Sequence, residues 1–365
     1  MKRFLVQFFA GLIGLLLLIG AFVVIVDPFY HYHDATAGTT EYMYTQVYQT
    51  PGAALHFKYD SAIVGTSMTE NFRASWYEEQ GMDLVKLCFA GARSRDIATV
   101  YEKVFASGND VKRVITDLNE YQLTSDPKSR YTELPAYLYN DFLPDDVQYI
   151  WNRDVFTAAI LRTLEAIRGK QPDNDLAYTW TDPELFSVEK MERNYRATLD
   201  EYAEGFTDAH SEVGRLAADL EACRLNLENL TEYVAGHPEV QFDFFFPPYS
   251  IVYWERIRLS GCLHILDVYR AAAEQLMDYE NVRVFFFMDE TGWITDLDEY
   301  RDECHHSQLY NRYIYEAMEQ GTHQLTAENV DEVFRNFHDY VEQFSYDLFW
   351  DKAYAVRGLH PTVTR

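Results

Sequence analysis

The chain has 365 residues, enough for one large domain or two small ones, and its 48% hydrophobic and 16% aromatic content exclude a disordered chain. A formal charge of -27 excludes an ordinary nucleic-acid binder, which grips phosphates with Lys and Arg, and argues against broad adhesion to an anionic lipid surface. The acidity reads as a solubility feature.

After Met1-Lys2-Arg3 comes an apolar run over residues 4–26, with Gln7 as its one polar side chain. As a helix this run is about 34 Å long, matching a bilayer core. Lys2 and Arg3 predict that the N-terminus is cytoplasmic and that everything after Asp27 lies outside. A cleaved signal peptide is the rival reading, and Ala35-Thr36-Ala37 offers an A-x-A pattern. That triplet lies well past the run, and the run exceeds a usual signal-peptide core, so a retained single-pass anchor is expected.

Residues 27–58 are aromatic and irregular, and read as a membrane-proximal collar. A strand at 61–65 then precedes a helical stretch at about 70–80. A second apolar run at 84–89 leads into Ala90-Gly91 and a helix at about 95–106. A third, at 111–118, ends in Asp117-Leu118-Asn119-Glu120. Strands alternating with helices predict an α/β domain around a parallel sheet covered on both faces, over residues 59–325. Residues 122–205 break the rhythm. They are rich in Tyr, Asp and Pro, hold one helix near 154–168 and show no strand, so they read as an insertion capping the sheet's edge or its active face.

The alternation resumes with Val213, Leu216, Leu220, Cys223, Leu227, Leu230 and Val234, an apolar stripe at helical spacing. Such a stripe serves a coiled coil or packs on a sheet, and the strand that follows at 240–246 favours the sheet. Pro247-Pro248-Tyr249-Ser250 ends that strand and either lines a pocket or forms a rigid turn. A helix at about 256–277 feeds a fifth strand at 282–287, and another helix begins near Ser307. Residues 326–365 read as a C-terminal extension of helix and irregular tail.

Ser67, in Gly65-Thr66-Ser67, stands where strand one meets a helix. There it serves either as an N-cap or as a nucleophile whose oxyanion would face free backbone N–H groups. A serine nucleophile needs a base and a group that orients the base. Of eleven histidines only His305 has an Asp three residues before it, Asp302, and it follows the fifth strand toward the same sheet edge. D-x-x-H is weak alone, but it joins a G-x-S that occurs nowhere else in the chain.

With these motifs in place the chain resembles the SGNH/GDSL hydrolase superfamily. It is most similar to the membrane-anchored, envelope-associated branch, which includes the anchored protein of teichoic-acid D-alanylation and proteins of alginate and peptidoglycan O-acetylation. The resemblance covers most of residues 28–325, through "DPFYHYH", "GTSMTENF", "FFFPPYS" and "YRDECHH". It implies a three-layer α/β/α fold of about five parallel strands, with Ser67 as nucleophile, His305 as base and Asp302 as its partner. It also implies a serine esterase or O-acyltransferase that uses no cofactor. Such an enzyme works outside the membrane on an envelope polysaccharide or related polymer, beside a multi-spanning membrane O-acyltransferase. A non-catalytic glycan-binding or scaffolding protein of the same fold is the alternative.

Thr66 departs from the Asp usual in the family motif. Gly91 fits the second oxyanion donor, whereas Asn119 stands for the third without the Gly that ordinarily precedes it. The second Gly of a G-x-S-x-G elbow is replaced by Thr69, which separates the chain from α/β-hydrolases. Tyr249 and Trp254 are candidates for stacking on a sugar. Adjacent His305 and His306 rarely reach one ion together, so no metal site is expected, and Cys304 beside His305 is not expected to be the nucleophile. His31 and His33 are expected to hydrogen-bond within the collar. No C-x-x-C occurs, and pairing among Cys88, Cys223, Cys262 and Cys304 stays open.

Overall fold

A computed structural model of the chain describes residues 1–34, 45–131, 134–170, 173–195 and 212–350. The Ala35-Thr36-Ala37 triplet, part of the expected insertion at 196–205 and the tail from 351 lie outside them.

Five parallel strands form the sheet: β1 (Ser61–Ile63), β2 (Leu84–Lys86), β3 (Arg113–Asp117), β4 (Gln241–Phe246) and β5 (Val282–Phe286). A two-residue strand, β6 (Gln324–Leu325), joins β5 antiparallel, and the order is β2-β1-β3-β4-β5-β6. The sixth strand is unexpected from sequence, because two residues are too few to show an alternating pattern.

Alternation along the strands separates two cores. Ile63, Ile115, Phe245 and Phe285 meet the short helix Ala74–Glu78 and the helix Gln308–Gln320. Val64, Val114, Phe244 and Val284 face the other layer, built from the helices Ser94–Ala106, Glu212–Gly236 and Ile265–Met277. The fold is therefore helix, sheet, helix. Cys223, Leu227, Leu230 and Val234 of the apolar stripe are buried where their helix packs on the helices Ser94–Ala106, Glu120–Thr124 and Ile265–Met277, so the stripe is a packing face and not a coiled-coil seam.

Three expectations need correction. The helix expected at 256–277 is two helices, Ile251–Leu259 and Ile265–Met277, parted at Gly261, whose φ of 63° lies in the left-handed region. The helix expected at about 70–80 is a 3₁₀ turn, Ser67–Thr69, followed by Ala74–Glu78. The boundary drawn at 325 cuts through the core, because the helix Val330–Gln343 lays Phe334 against Phe286 at 4.7 Å and against Phe246 at 6.3 Å.

The collar is tied into the fold by its first residue. The buried Asp27 carboxylate accepts the backbone N–H groups of His31, Tyr32 and His33 and the hydroxyl of Tyr149. Arg162 donates to the Asp27 carbonyl and lies over the Tyr30 ring. His31 Nε2 pairs with Asp146 of the insertion at 3.1 Å, and His33 bonds the Asp34 carbonyl within the collar and the Val24 carbonyl of the apolar helix, so the two histidines chiefly tie the collar to its neighbours. The insertion consequently divides. Residues 136–167 stand against the collar and the apolar helix Lys2–Val26, and residues 173–180 reach the carboxyl edge of the sheet. The helix Lys2–Val26 is long and apolar enough to cross a membrane.

Removing a ring from the Phe246–Phe286–Phe334 cluster leaves a cavity the packed helix cannot close. Phe334→Ala is expected to lower the unfolding free energy by about 3–5 kcal/mol, read from denaturant unfolding of the full chain in detergent. A change within about 0.5 kcal/mol would show that the helix Val330–Gln343 is an appendage.

Candidate active site

Strand order selects one place in this sheet. β1 lies between β2 and β3, so the chain winds off in opposite directions from β1, and ligands of such sheets bind beyond the strand ends at that switch point. Ser67 stands there. From residue 61 to 72 it is the one position that is not buried. The ladder carries on past β2 through Leu87 and Phe89, whose N–H groups donate to the Ile63 and Gly65 carbonyls. That pairing brings Ala90-Gly91 level with the Ser67 turn, and Gly91 takes a φ of 73°, which its missing Cβ permits.

Ser67 and His305 are 238 positions apart in sequence, yet Ser67 Oγ lies 2.8 Å from His305 Nε2. His305 Nδ1 lies 2.8 and 2.9 Å from the two oxygens of Asp302. A carboxylate only accepts, so Nδ1 carries the proton and Nε2 presents its lone pair to the serine hydroxyl. Asp302 Oδ1 also accepts the backbone N–H groups of Cys304 and His305. Burial pushes the Asp302 carboxyl up, but the hydrogen bonds and charge of His305 and those two N–H groups outweigh it. The net result is a pKa below the usual carboxylate value. The three residues named from sequence therefore meet in one hydrogen-bonded line.

A second carboxylate, not assigned from sequence, sets the serine turn. Asp117 ends β3 fully buried and accepts the Thr66 N–H at 2.7 Å and the Thr66 hydroxyl at 2.6 Å. Burial raises its pKa, against the pull of those bonds. Gly65 is required beside it, since a Cβ there would overlap Asp117 Oδ1. Thr66 thus has a buried partner of its own.

Asn119 is close by but engaged. Its Oδ1 caps the helix Glu120–Thr124 by accepting the Gln122 N–H, and its Nδ2 donates to Asp117 at 3.3 Å. One amide hydrogen remains to serve an oxyanion.

The loop that carries Asp302 and His305 is braced from β4. Tyr300 donates its hydroxyl to the Pro248 carbonyl at 2.6 Å, and Ser250 donates both its N–H and its hydroxyl to the Glu303 carbonyl. Arg256 closes on the Glu303 carboxylate at 2.9 Å. The Pro247-Pro248-Tyr249-Ser250 turn is therefore a rigid support, and Tyr249 also lines a cavity of about 300 Å³ with Asn119 and Cys304. Trp254 does not belong to the site. Its indole is fully buried, 5.0 Å from the Phe337 ring, so the expected sugar-stacking role is corrected to a core role.

The insertion reaches the site through Trp180, a residue that sequence reading did not single out. Trp180 sets its indole edge-on to the His305 ring at 5.4 Å and donates its N–H to Glu70 at 2.8 Å. Gln46 of the collar holds the other Glu70 oxygen, and Trp180 N–H of the backbone donates to Asn71 Oδ1. Lys86, buried below, donates to the Ala177 and Asp175 carbonyls, and burial lowers its pKa to about 8.

His306 is buried with its Nδ1–H on the Ser307 carbonyl, and burial lowers its pKa to about 4, so it stays neutral. Burial also lifts the Cys304 thiol well above its ordinary pKa, which disfavours its thiolate. All four cysteines are free. Among the described residues no group of three His, Cys, Asp or Glu side chains is placed to hold a metal ion. No protein-family model and no curated protein matches the chain.

The depressed Asp302 pKa has a definite sign in stability. Its contribution is present in full above the ordinary Asp value near 4 and is lost as pH falls through the lower folded value. Wild type is therefore expected to exceed Asp302→Asn in stability at neutral pH, with the gap closing as the solution is taken below about pH 4. Thermal unfolding of both across pH 2–7 reads this. A gap that widens toward acid would contradict the assigned pairing.

Proposed function

We propose that this chain is a serine-dependent ester hydrolase or O-acyltransferase that acts at a membrane surface on acyl groups of a cell-envelope polysaccharide or related polymer. The observation that carries the reading is the unbroken line from Ser67 Oγ through His305 to Asp302, at 2.8 Å on each side of the imidazole.

In the proposed reaction Ser67 Oγ attacks an ester carbonyl while His305 Nε2 takes the hydroxyl proton. Asp302 keeps the imidazole in the required tautomer and offsets the charge that forms on it. The oxyanion faces the N–H of Ser67, which opens a helical turn, together with the Gly91 N–H and the free Asn119 amide hydrogen. Collapse expels the alcohol, which leaves with the proton held on Nε2, and Ser67 is acylated. Water or a glycan hydroxyl then gives its proton to Nε2, attacks the acyl carbon and releases Ser67. The position of the Trp180 indole beside His305 supports an acceptor that enters from the opposite, open side of the ring.

Placement on the outer membrane face and a multi-spanning membrane acyltransferase as acyl source follow from the resemblance to the anchored envelope branch. A single apolar helix does not move an acyl donor across a bilayer by itself, which is why that reading needs such a partner. The second reading, a non-catalytic glycan-binding protein, is favoured by the engagement of Asn119 with Gln122 and Asp117.

Hydrolysis of an activated aryl acetate by the full chain in detergent separates the two. Ser67→Ala and His305→Ala are expected to remove turnover, and Asp302→Asn to slow it on the order of 10⁴-fold by favouring the wrong tautomer. Turnover unchanged in Ser67→Ala, or no turnover and no acyl-enzyme in a folded wild type, would overturn the enzymatic reading.

A further inference from the structure

The helix Lys2–Val26 has no charged side chain after Arg3, and Leu17, Leu18 and Ile25 near its C-terminal end are 62%, 70% and 72% exposed. Part of the globular domain runs alongside it. The Trp151 indole N–H donates to the Leu16 carbonyl at 3.2 Å. Gly20 permits that approach, since a Cβ there would come within 2.9 Å of Ile150. Phe22 meets Phe156 edge to face at 5.9 Å.

Large apolar side chains around this contact point away from the protein. Phe142, Leu143, Val147 and Trp151 are all exposed, Leu143 by 75%. On the helix Arg153–Ile167 the residues Val155, Ala159 and Arg162 are buried on the collar side. Its other face carries Ile160, Leu164 and Ile167, exposed at helical spacing, with Leu161 beside them. Isolated exposed apolar residues are ordinary, but a contiguous set flanking an apolar helix is not. Arg153, paired with Asp154, stands at one end of this face, and Arg168 and Lys170, the latter paired with Glu165, at the other.

Depth follows from length. Twenty-five helical residues span about 37 Å at 1.5 Å per residue, roughly 7 Å more than a hydrocarbon core. Leu16 lies about 15 Å below Val26. With Lys2 and Arg3 at the far boundary, the Trp151 indole falls about 8 Å inside the near one, within the depth that interfacial apolar faces reach.

We propose that residues 142–151 and the outer face of the helix Arg153–Ile167 form a wedge inserted at the acyl–headgroup boundary of the leaflet on the domain's side, with phospholipid as its occupant. This rests on the reading that Lys2–Val26 crosses the bilayer. Its consequence is a domain that lies on the membrane in one orientation, held at two places, instead of swinging on a single tether. Lipid is favoured over a protein partner because these exposed apolar residues stand directly beside the exposed sides of the spanning helix, which they touch at Leu16 and Phe22. Arg153 and Asp154, exposed and paired at 3.2 Å two residues past Trp151, reach back toward the headgroups along the side of the wedge.

The full chain in phosphatidylcholine liposomes brominated either high or low on the acyl chain tests this through tryptophan emission. High-chain bromine is expected to quench a component that Trp151→Phe removes, and low-chain bromine to quench it less. Phe142→Trp in the Trp151→Phe background is expected to restore high-chain quenching, which separates loss of the reporter from loss of the fold. Leu12→Trp in that background reports the spanning helix and is expected to be quenched most by low-chain bromine. Quenching of Leu12→Trp with none at 142 or 151 would overturn the wedge, keep the anchor and leave the face to a protein partner. Quenching at none of the three positions would overturn both the wedge and the spanning helix.

Discussion

Asp117 occupies a position where a carboxylate is costly and where nothing else serves as well. It is enclosed at the end of β3, and its burial is offset by two donors from one residue, the N–H and the hydroxyl of Thr66. That double bond between neighbouring strands decides where the chain turns after β1. Gly65 leaves room for it, Ser67 is the next residue out, and Asn119 reaches the same carboxylate from β3's own exit. The half-exposed serine at the switch point is thus held by a buried interaction one residue behind it. Precision at Ser67 comes from the sheet, and openness comes from the turn.

His305 is held on different terms. The segment 300–306 has buried ends, Tyr300 and His306, bridged to each other, and a partly exposed middle that is held also by partners on other elements. Tyr300 on Pro248, Ser250 on Glu303 and Arg256 on Glu303 fasten it to the end of β4, while Asp302 ties His305 through both the backbone and the ring. Adjacent strands β3 and β4 therefore carry the two halves of the site, one through Asp117 and the other through the Pro-rich turn. The insertion then adds Trp180 as a wall against the imidazole, with Glu70 behind it.

The parts of this site that sequence reveals are those whose chemistry is encoded locally. A strand ending in Gly-Thr-Ser and a D-x-x-H after the last long strand name Ser67, Asp302 and His305, because a three-residue spacing suffices for a carboxylate to meet both an imidazole and its own backbone N–H. The parallel α/β architecture is equally local, written as repeated apolar runs and helical stripes. The pairing of Asp117 with Thr66 is not local. It requires knowing that β1 lies beside β3, which no spacing along the chain states. Trp180 lies in a segment without periodicity, so its approach to His305 gives no signal in advance. Trp254 misleads for the opposite reason: in a chain this rich in aromatic residues, most of them fill cores. The insertion's division between collar and sheet edge escapes for a related cause, since composition marks it as irregular without saying which surface each half covers.

An activated serine is the claim on which the account stands, and its reactivity toward a fluorophosphonate probe is the most direct test. The probe needs only the nucleophile, its base and an oxyanion site, so it reads the site without knowledge of the acyl donor or acceptor. The full chain in detergent is expected to label once, on the peptide containing Ser67, with labelling lost in both Ser67→Ala and His305→Ala. A folded wild type that stays unlabelled across the neutral pH range, or label found on any other residue, would contradict it.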